Sequence, residues 1–167
     1  PILMTHPSLP VKSVKELPAF AKARPGQLNY GPSGVGTPPH LASEMYKSMA
    51  GINLVHVPYK TVAAAVTEQM AGQIQVSFQY GPSSLPHVRS GRLRGLAVSS
   101  LKRSRFAQEL PTMDESGVTG YEIIGWNGIH VPKATPPDIL NKLNTDLRAA
   151  LQAPEVQERL VQASLDI

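Results

Sequence analysis

The amino-acid sequence predicts an α/β fold, with a parallel sheet flanked by helices. Three successive segments each have the pattern of a buried strand, a loop and a helix. Units of this kind join parallel strands through right-handed crossovers. Their loops, at 31–37, 58–61 and 79–81, are therefore expected at the carboxyl edge of the strands, where ligands bind in such sheets.

The first unit contains a loop rich in glycine and hydroxyl residues, 31–37, which we call the glycine loop. Thr37 is a good helix N-cap, and Pro38 stands where a helix tolerates proline. Gly34 and Gly36 let the backbone approach a ligand without a Cβ. We expect free backbone amides and the positive end of the helix dipole to meet here, which suits phosphate or carboxylate.

The helix after the glycine loop is predicted to bury the face that carries Leu41, Met45 and Met49, which are spaced four residues apart. Established phosphate motifs do not fit the loop. No lysine follows Gly36, and a third glycine is missing. On spacing alone, a plain turn between strand and helix explains the loop equally well.

The second and third units follow directly. Strands are predicted over 53–57, 74–78 and 93–98, and helices over 62–70 and 82–88. Beyond residue 99 the chain is more polar. A short capped helix is expected over 110–115, a strand or crossover over 121–131, and amphipathic helices from Thr135 and Pro154.

Composition narrows the class of protein. The 167 residues are 41% hydrophobic and 17% charged, with a net charge of +4 and no cysteine. No apolar run approaches the ~20 residues that span a bilayer. The densest basic region lies over 89–105, but it lacks the aromatic interleaving and recognition motifs of nucleic-acid binders. A solvated basic face is the favoured interpretation.

Catalytic and metal-binding patterns are weak. The five histidines lack metal-ligand spacing, so no metal and no cofactor are predicted. His56 falls in a buried strand and is interpreted as a core residue. Residues 31–35 do not complete a Gly-x-Ser-x-Gly elbow. An enzyme, for example a hydrolase that uses the glycine loop as an anion hole, therefore stays an alternative to a binding protein and not the favoured interpretation. A ligand-sensing module is a second alternative.

Several motifs resemble the Bug-type (tripartite tricarboxylate transporter) periplasmic substrate-binding proteins, and they run in family order across nearly the whole chain. They are His6-Pro7-Ser8-Leu9-Pro10, Ser33-Gly34-Val35-Gly36-Thr37, His56-Val57-Pro58-Tyr59-Lys60, Ser90-Gly91-Arg92-Leu93-Arg94 and Pro132-Lys133-Ala134-Thr135-Pro136. The resemblance implies a type II periplasmic binding protein-like lobe. It also implies a two-lobed, non-enzymatic receptor that captures a small carboxylate in the periplasm and presents it to membrane permease subunits.

The resemblance further implies a division of the chain and a set of ligand-binding residues. Residues 1–125 correspond mainly to the second lobe, and 126–167 to a return segment with helices that pack toward the first lobe. The first-lobe segment and the C-terminal tail are expected to be missing, which favours weak binding and self-association of the truncated chain. The ligand-binding candidates are Ser33, Gly34, Val35, Gly36, Thr37, His40, Tyr59, Gln79 and Tyr80.

One departure from the family bears on the ligand. Gln79 and Tyr80 stand where an acidic or Asn-containing pair is common. Neither side chain carries a fixed charge, so we expect no pairing with a ligand ammonium. The sequence therefore predicts a preference for carboxylates that lack an amine, with an apolar body against Tyr80.

Overall fold

The computed structural model describes residues 1–32 and 34–165, which divide into two compact units, Pro1–Gly125 and Trp126–Ile167. The first unit is a five-stranded sheet with helices. In chain order its elements are β1 (Ile2–Thr5), α1 (Glu16–Lys22), β2 (Asn29–Tyr30), α2 (Pro38–Ala50), β3 (Val55–His56), α3 (Val62–Met70), β4 (Val76–Gln79), α4 (Gly81–Arg89) and β5 (Arg94–Val98).

The sheet has the order β3-β2-β4-β1-β5. β2 is parallel to both β3 and β4, and the predicted strand–loop–helix units and α/β class are confirmed. β1 differs, because it pairs antiparallel with β4 and with β5. It lies between the two strands but is not connected to either by a helical crossover. The chain passes from β1 through α1 to β2, and because these two strands are not neighbours in the sheet, this connection does not impose the common direction on β1.

Successive residues of β1 point to opposite faces of the sheet and so enter different cores. Leu3 packs in one cluster with Tyr30, Tyr46 and Phe78. Met4 packs in the other with residues of α3, α4 and β5. The sheet is thus covered on both faces, which leaves its strand ends and their loops as the accessible edge.

The prediction for the buried face of α2 is wrong for two of its three residues, since only Met45 packs against the core. Leu41 and Met49 are 50% and 44% exposed, whereas the buried residues are Pro39, Ala42, Ser43 and Tyr46. These four buried residues also have helical spacing, so periodicity alone fits either face. The face that turns inward is the one that carries Tyr46, the large aromatic ring of this helix. The Tyr46 ring packs edge-on against Phe78 and Tyr121, and its hydroxyl donates to the Val14 carbonyl.

The segment after β5 has less regular structure than predicted. Residues 110–115 form a capped turn instead of a helix. The Thr112 N–H donates to the Glu115 carboxylate, and the Glu115 N–H donates to the Thr112 hydroxyl. Thr112 also bridges to Val98, an extended pairing that a continuing helix would break. No strand forms over the described residues 121–131.

The second unit contains the two predicted helices, α5 (Pro137–Gln152) and α6 (Pro154–Gln162). Neither helix has a buried residue, and apolar side chains of α5 such as Leu140 and Leu143 are exposed. Within residues 1–32 and 34–165, no helix is long and apolar enough to cross a membrane.

Candidate ligand-binding site

Three loops converge at the carboxyl edge of the neighbouring strands β3, β2 and β4. The glycine loop follows β2, the segment with Tyr59 follows β3, and Tyr80 follows β4. Hydrogen bonds join them: the Gly34 N–H donates to the Tyr59 carbonyl at 3.1 Å, and Gln79 Nε2 donates to the Gly31 carbonyl at 3.0 Å. The loops therefore form one connected surface.

Different glycines of this loop serve different purposes. Gly34 and Gly36 have φ values of +84° and +80°, in the left-handed region that glycine adopts without strain. Gly31 instead makes a close approach, since a Cβ there would lie 2.5 Å from Ile74 Cδ1 and 2.9 Å from Tyr59 Cε2. Gly31 thus fixes where the loop leaves the sheet, a role that the sequence did not reveal.

The backbone amides of the loop are less free than expected. The Gly34 N–H is bonded to Tyr59, and the Gly36 N–H donates to His40 Nδ1 at 3.2 Å. Thr37 is the N-cap of α2, but its hydroxyl donates to the Gly34 carbonyl at 2.9 Å and makes no side-chain cap bond to the helix. A ligand anion must compete with these partners for the Gly34 and Gly36 amides.

The start of α2 also offers few donors, because Pro38 and Pro39 have no backbone N–H. The Leu41 N–H donates to the Thr37 carbonyl. The Val35 side chain is 73% exposed at the tip of the loop. Ser33, another predicted ligand residue, lies outside the described residues.

His40 belongs to an aromatic stack that sequence reasoning missed. Its ring centroid lies 5.0 Å from that of His56, and the His56 ring stacks on Tyr30, also at 5.0 Å. The Tyr30 hydroxyl donates to Glu44, which also pairs with Lys47 at 2.8 Å. The sequence did contain one signal for this stack. Because α2 follows β2, it begins near the end of the parallel neighbour β3, and this brings His40 of α2 close to His56 of β3.

His56 is not the fully buried core residue that the strand pattern predicted. It is part-buried, and its Nε2 is buried without a hydrogen-bond partner among the described residues. Burial lowers the pKa of His56, and the neighbouring His40 and Lys47 lower it further, against the opposite effect of Glu44. The neutral imidazole is therefore the favoured form in the stack.

Tyr59 and Tyr80 are both part-buried beside the loop. Burial raises the pKa of each hydroxyl, and Glu68 adds to the effect at Tyr59. Both therefore remain neutral and can donate a hydrogen bond. A Cβ on Gly125 would lie 3.5 Å from Tyr80 Cε1 and 3.9 Å from Pro38 Cγ, which places the Tyr80 ring near the start of α2.

Gln79 occupies a different place from the one expected. Its side chain is fully buried, and its amide donates to the Gly31 carbonyl. It supports the glycine loop from inside the unit and does not face the solvent beside Tyr80. Strand alternation explains the difference, because consecutive residues at the end of β4 point in opposite directions.

Three arginines of the basic region bond to other segments of the first unit. Arg89 donates to the Phe106 carbonyl, Arg94 to the carbonyls of Leu9 and Val11, and Arg103 pairs with Glu115 at 2.9 Å. These guanidinium groups tie segments of the first unit together. In the described part of the chain, no group of three or more His, Asp or Glu residues could hold a metal ion.

Comparison with known proteins decides the family. The sequence profile of the family described as "tripartite tricarboxylate transporter family receptor" matches residues 1–167 of this chain. The chain belongs to this family. The resemblance predicted from the sequence motifs is therefore confirmed, and so is the periplasmic binding protein-like fold class.

Several relatives of this receptor family are similar over almost the whole chain. BugT of Bordetella pertussis is 34% identical over 157 residues, which cover 94% of this chain and 48% of BugT. The structure titled R. palustris Rpa4515 with adipate has a TM-score of 0.87 and 36% identity, and covers 98% of this chain and 54% of its own. The periplasmic binding protein BugD has a TM-score of 0.85 and 32% identity, with coverage of 98% and 55%. The chain thus spans about half the length of these relatives.

Proposed function

We propose that this protein is a solute-binding receptor that captures a small carboxylate at the glycine loop. In this proposal it acts in the periplasm and delivers the ligand to the membrane permease subunits of a tripartite tricarboxylate-type transporter. The observation that carries the proposal is the hydrogen-bonded convergence of the glycine loop with the segments of Tyr59 and Tyr80, in a chain whose family consists of transporter receptors. The relative solved with adipate supports a carboxylate as ligand class.

The chemistry of the loop suits a carboxylate that replaces internal hydrogen-bond partners. A ligand oxygen can accept the Gly36 N–H in place of His40 Nδ1, and the positive end of the α2 dipole favours negative charge there. The Tyr80 hydroxyl supplies a neutral donor, and its ring supplies apolar surface. These features favour an uncharged body attached to the carboxylate.

An enzyme has less support at this site. The histidine beside the loop, His40, uses Nδ1 to accept the N–H of Gly36, which is a backbone donor. Activation of a nucleophile needs a base within hydrogen-bond reach of it, and His40 Nδ1 is paired with a backbone amide until a ligand takes that amide. Binding without chemistry is therefore the function we propose.

Calorimetric titration of the full-length protein with mono-, di- and tricarboxylates tests this function. Adipate, its neutral diamide and 2-aminoadipate form a matched series, and we expect adipate to bind most tightly. Binding of the diamide as tightly as adipate, or no binding of any carboxylate, would refute the proposal. Tighter binding of 2-aminoadipate would overturn only the preference for ligands without an amine.

A pair of variants locates the site. In this proposal the Thr37 hydroxyl, which donates to the Gly34 carbonyl in this structure, turns to the bound carboxylate. Thr37→Val should therefore weaken carboxylate binding by roughly 1.5–3 kcal/mol, the range for hydrogen bonds to charged groups. Thr67→Val makes the same change at an exposed position of α3 and should leave the affinity unchanged. Equal affinities of the two variants would remove the glycine loop from the site.

A further inference from the structure

We propose that Gln79 is a positioning residue, whose buried amide holds the glycine loop at the distance from Tyr80 that ligand binding requires. This inference rests on the proposed function, since it concerns the same site. It replaces the expectation that Gln79 itself contacts the ligand. The ligand-facing groups in this scheme are those of the loop and of Tyr80.

Position and burial make Gln79 the link between the two sides of the site. It is the last residue of β4 and immediately precedes Tyr80. Its side chain is fully buried, and Nε2 donates to the Gly31 carbonyl at 3.0 Å. A substitution that removes this amide should therefore shift the glycine loop relative to Tyr80, which is the next residue after Gln79 in the chain.

The start of the glycine loop is restrained on its other sides as well. The Gly31 N–H donates to the Val76 carbonyl at 3.4 Å, so β4 holds both backbone polar groups of this residue. Side chains of Ile74 and Tyr59 close off the space where a Cβ would lie. The Gln79 amide holds the Gly31 carbonyl and completes the restraint on this residue.

Only a hydrogen-bond donor at position 79 can hold the Gly31 carbonyl in this way. The Gly31 carbonyl accepts hydrogen bonds, whereas an ionised carboxylate offers acceptors alone and repels a carbonyl oxygen. A glutamate at position 79 donates only while it is protonated. Gln79→Glu should therefore make ligand affinity depend on pH in a way that a merely space-filling role would not.

Gln69 provides a matched control. It is also fully buried, and its Nε2 donates to a backbone carbonyl, that of Met4, far from the glycine loop in sequence. Its Oε1 accepts from the Ser77 hydroxyl. Gln69→Glu thus introduces the same group into the interior of the same unit without a contact to Gly31.

The test titrates adipate into the full-length wild type and into Gln79→Glu, Gln79→Leu and Gln69→Glu at pH 5.0 and pH 7.5. We expect Gln79→Glu to bind at least about tenfold more weakly than wild type at pH 7.5, and the deficit to shrink at pH 5.0. Gln79→Leu, which has no donor at any pH, should be weak at both. Gln69→Glu should lower the melting temperature but keep the adipate affinity within twofold of wild type.

Amide hydrogen exchange without ligand separates this inference from the proposed function. At pH 7.5, Gln79→Glu should speed exchange at Gly34 at least tenfold, and Gln69→Glu should not. Unchanged exchange at Gly34, or adipate affinity within twofold of a binding wild type at both pH values, would refute the positioning role. If wild type fails to bind any carboxylate while Gly34 exchange still responds to Gln79→Glu, the proposed function fails and the control of the loop by Gln79 stands.

Discussion

Replacing Gly31 with alanine should destabilise the first unit, because the new methyl group has no room. Its Cβ would lie 2.5 Å from Ile74 Cδ1 and 2.9 Å from Tyr59 Cε2. Gly31 is not among the glycines with positive φ, so the penalty arises from overlap and not from backbone strain. Overpacking of this kind costs about 1–3 kcal/mol of unfolding free energy.

A second substitution separates the two contacts. Ile74→Val removes the Cδ1 atom and alone should cost about 0.5–1.5 kcal/mol. In the Gly31→Ala background the same change also relieves the shorter overlap. We therefore expect the double variant to be more stable than the sum of the single effects, with a coupling energy of about 1 kcal/mol.

Urea denaturation followed by far-UV circular dichroism measures these free energies. Gly125→Ala is the control, since its Cβ would lie at ordinary contact distance from Tyr80 and should change stability by less than about 0.5 kcal/mol. A Gly31→Ala variant as stable as this control would refute the reasoning. Strict additivity with Ile74→Val would show that Cδ1 is not the group in the way.

Two further predictions concern the neighbouring elements. Thr61→Ala should lower stability by about 1 kcal/mol, because the Thr61 hydroxyl oxygen accepts the Ala64 N–H at the start of α3; Thr61→Ser should retain most of it in the same urea assay. Burial lowers the pKa of His56, so the unfolded chain binds more protons than the folded one between the lowered pKa of the folded state and the unfolded value of about 6.5. Stability should therefore fall on acidification, and fall less in His56→Phe, which keeps a ring between Tyr30 and His40; equal loss between pH 7.5 and pH 5.5 in thermal melts would contradict this assignment.

The local sequence determined much of the fold. α3 occupies the predicted range Val62–Met70, because a capping threonine, an alanine-rich body and Gly72 define it without help from distant residues. β3 is shorter than predicted, at Val55–His56, because it lies at the edge of the sheet and pairs with β2 alone. The capped turn at 110–115 is a second place where contacts between distant residues override the local sequence. Extended pairing between Thr112 and Val98 replaces the helix that the local sequence predicts.

For the site, the sequence by itself determined the family, the parallel βαβ units and the loops that meet at one edge, because motifs and periodicity are properties of neighbouring residues. The tertiary structure alone decided which hydrogen-bond donors remain available there. Gly36 donates to His40, Gly34 to Tyr59, and the Gln79 amide is turned inward to Gly31. The partners come from helix α2, from the segment after β3 and from the end of β4, which meet only in the folded chain. No local pattern states which of two alternating side chains faces the core.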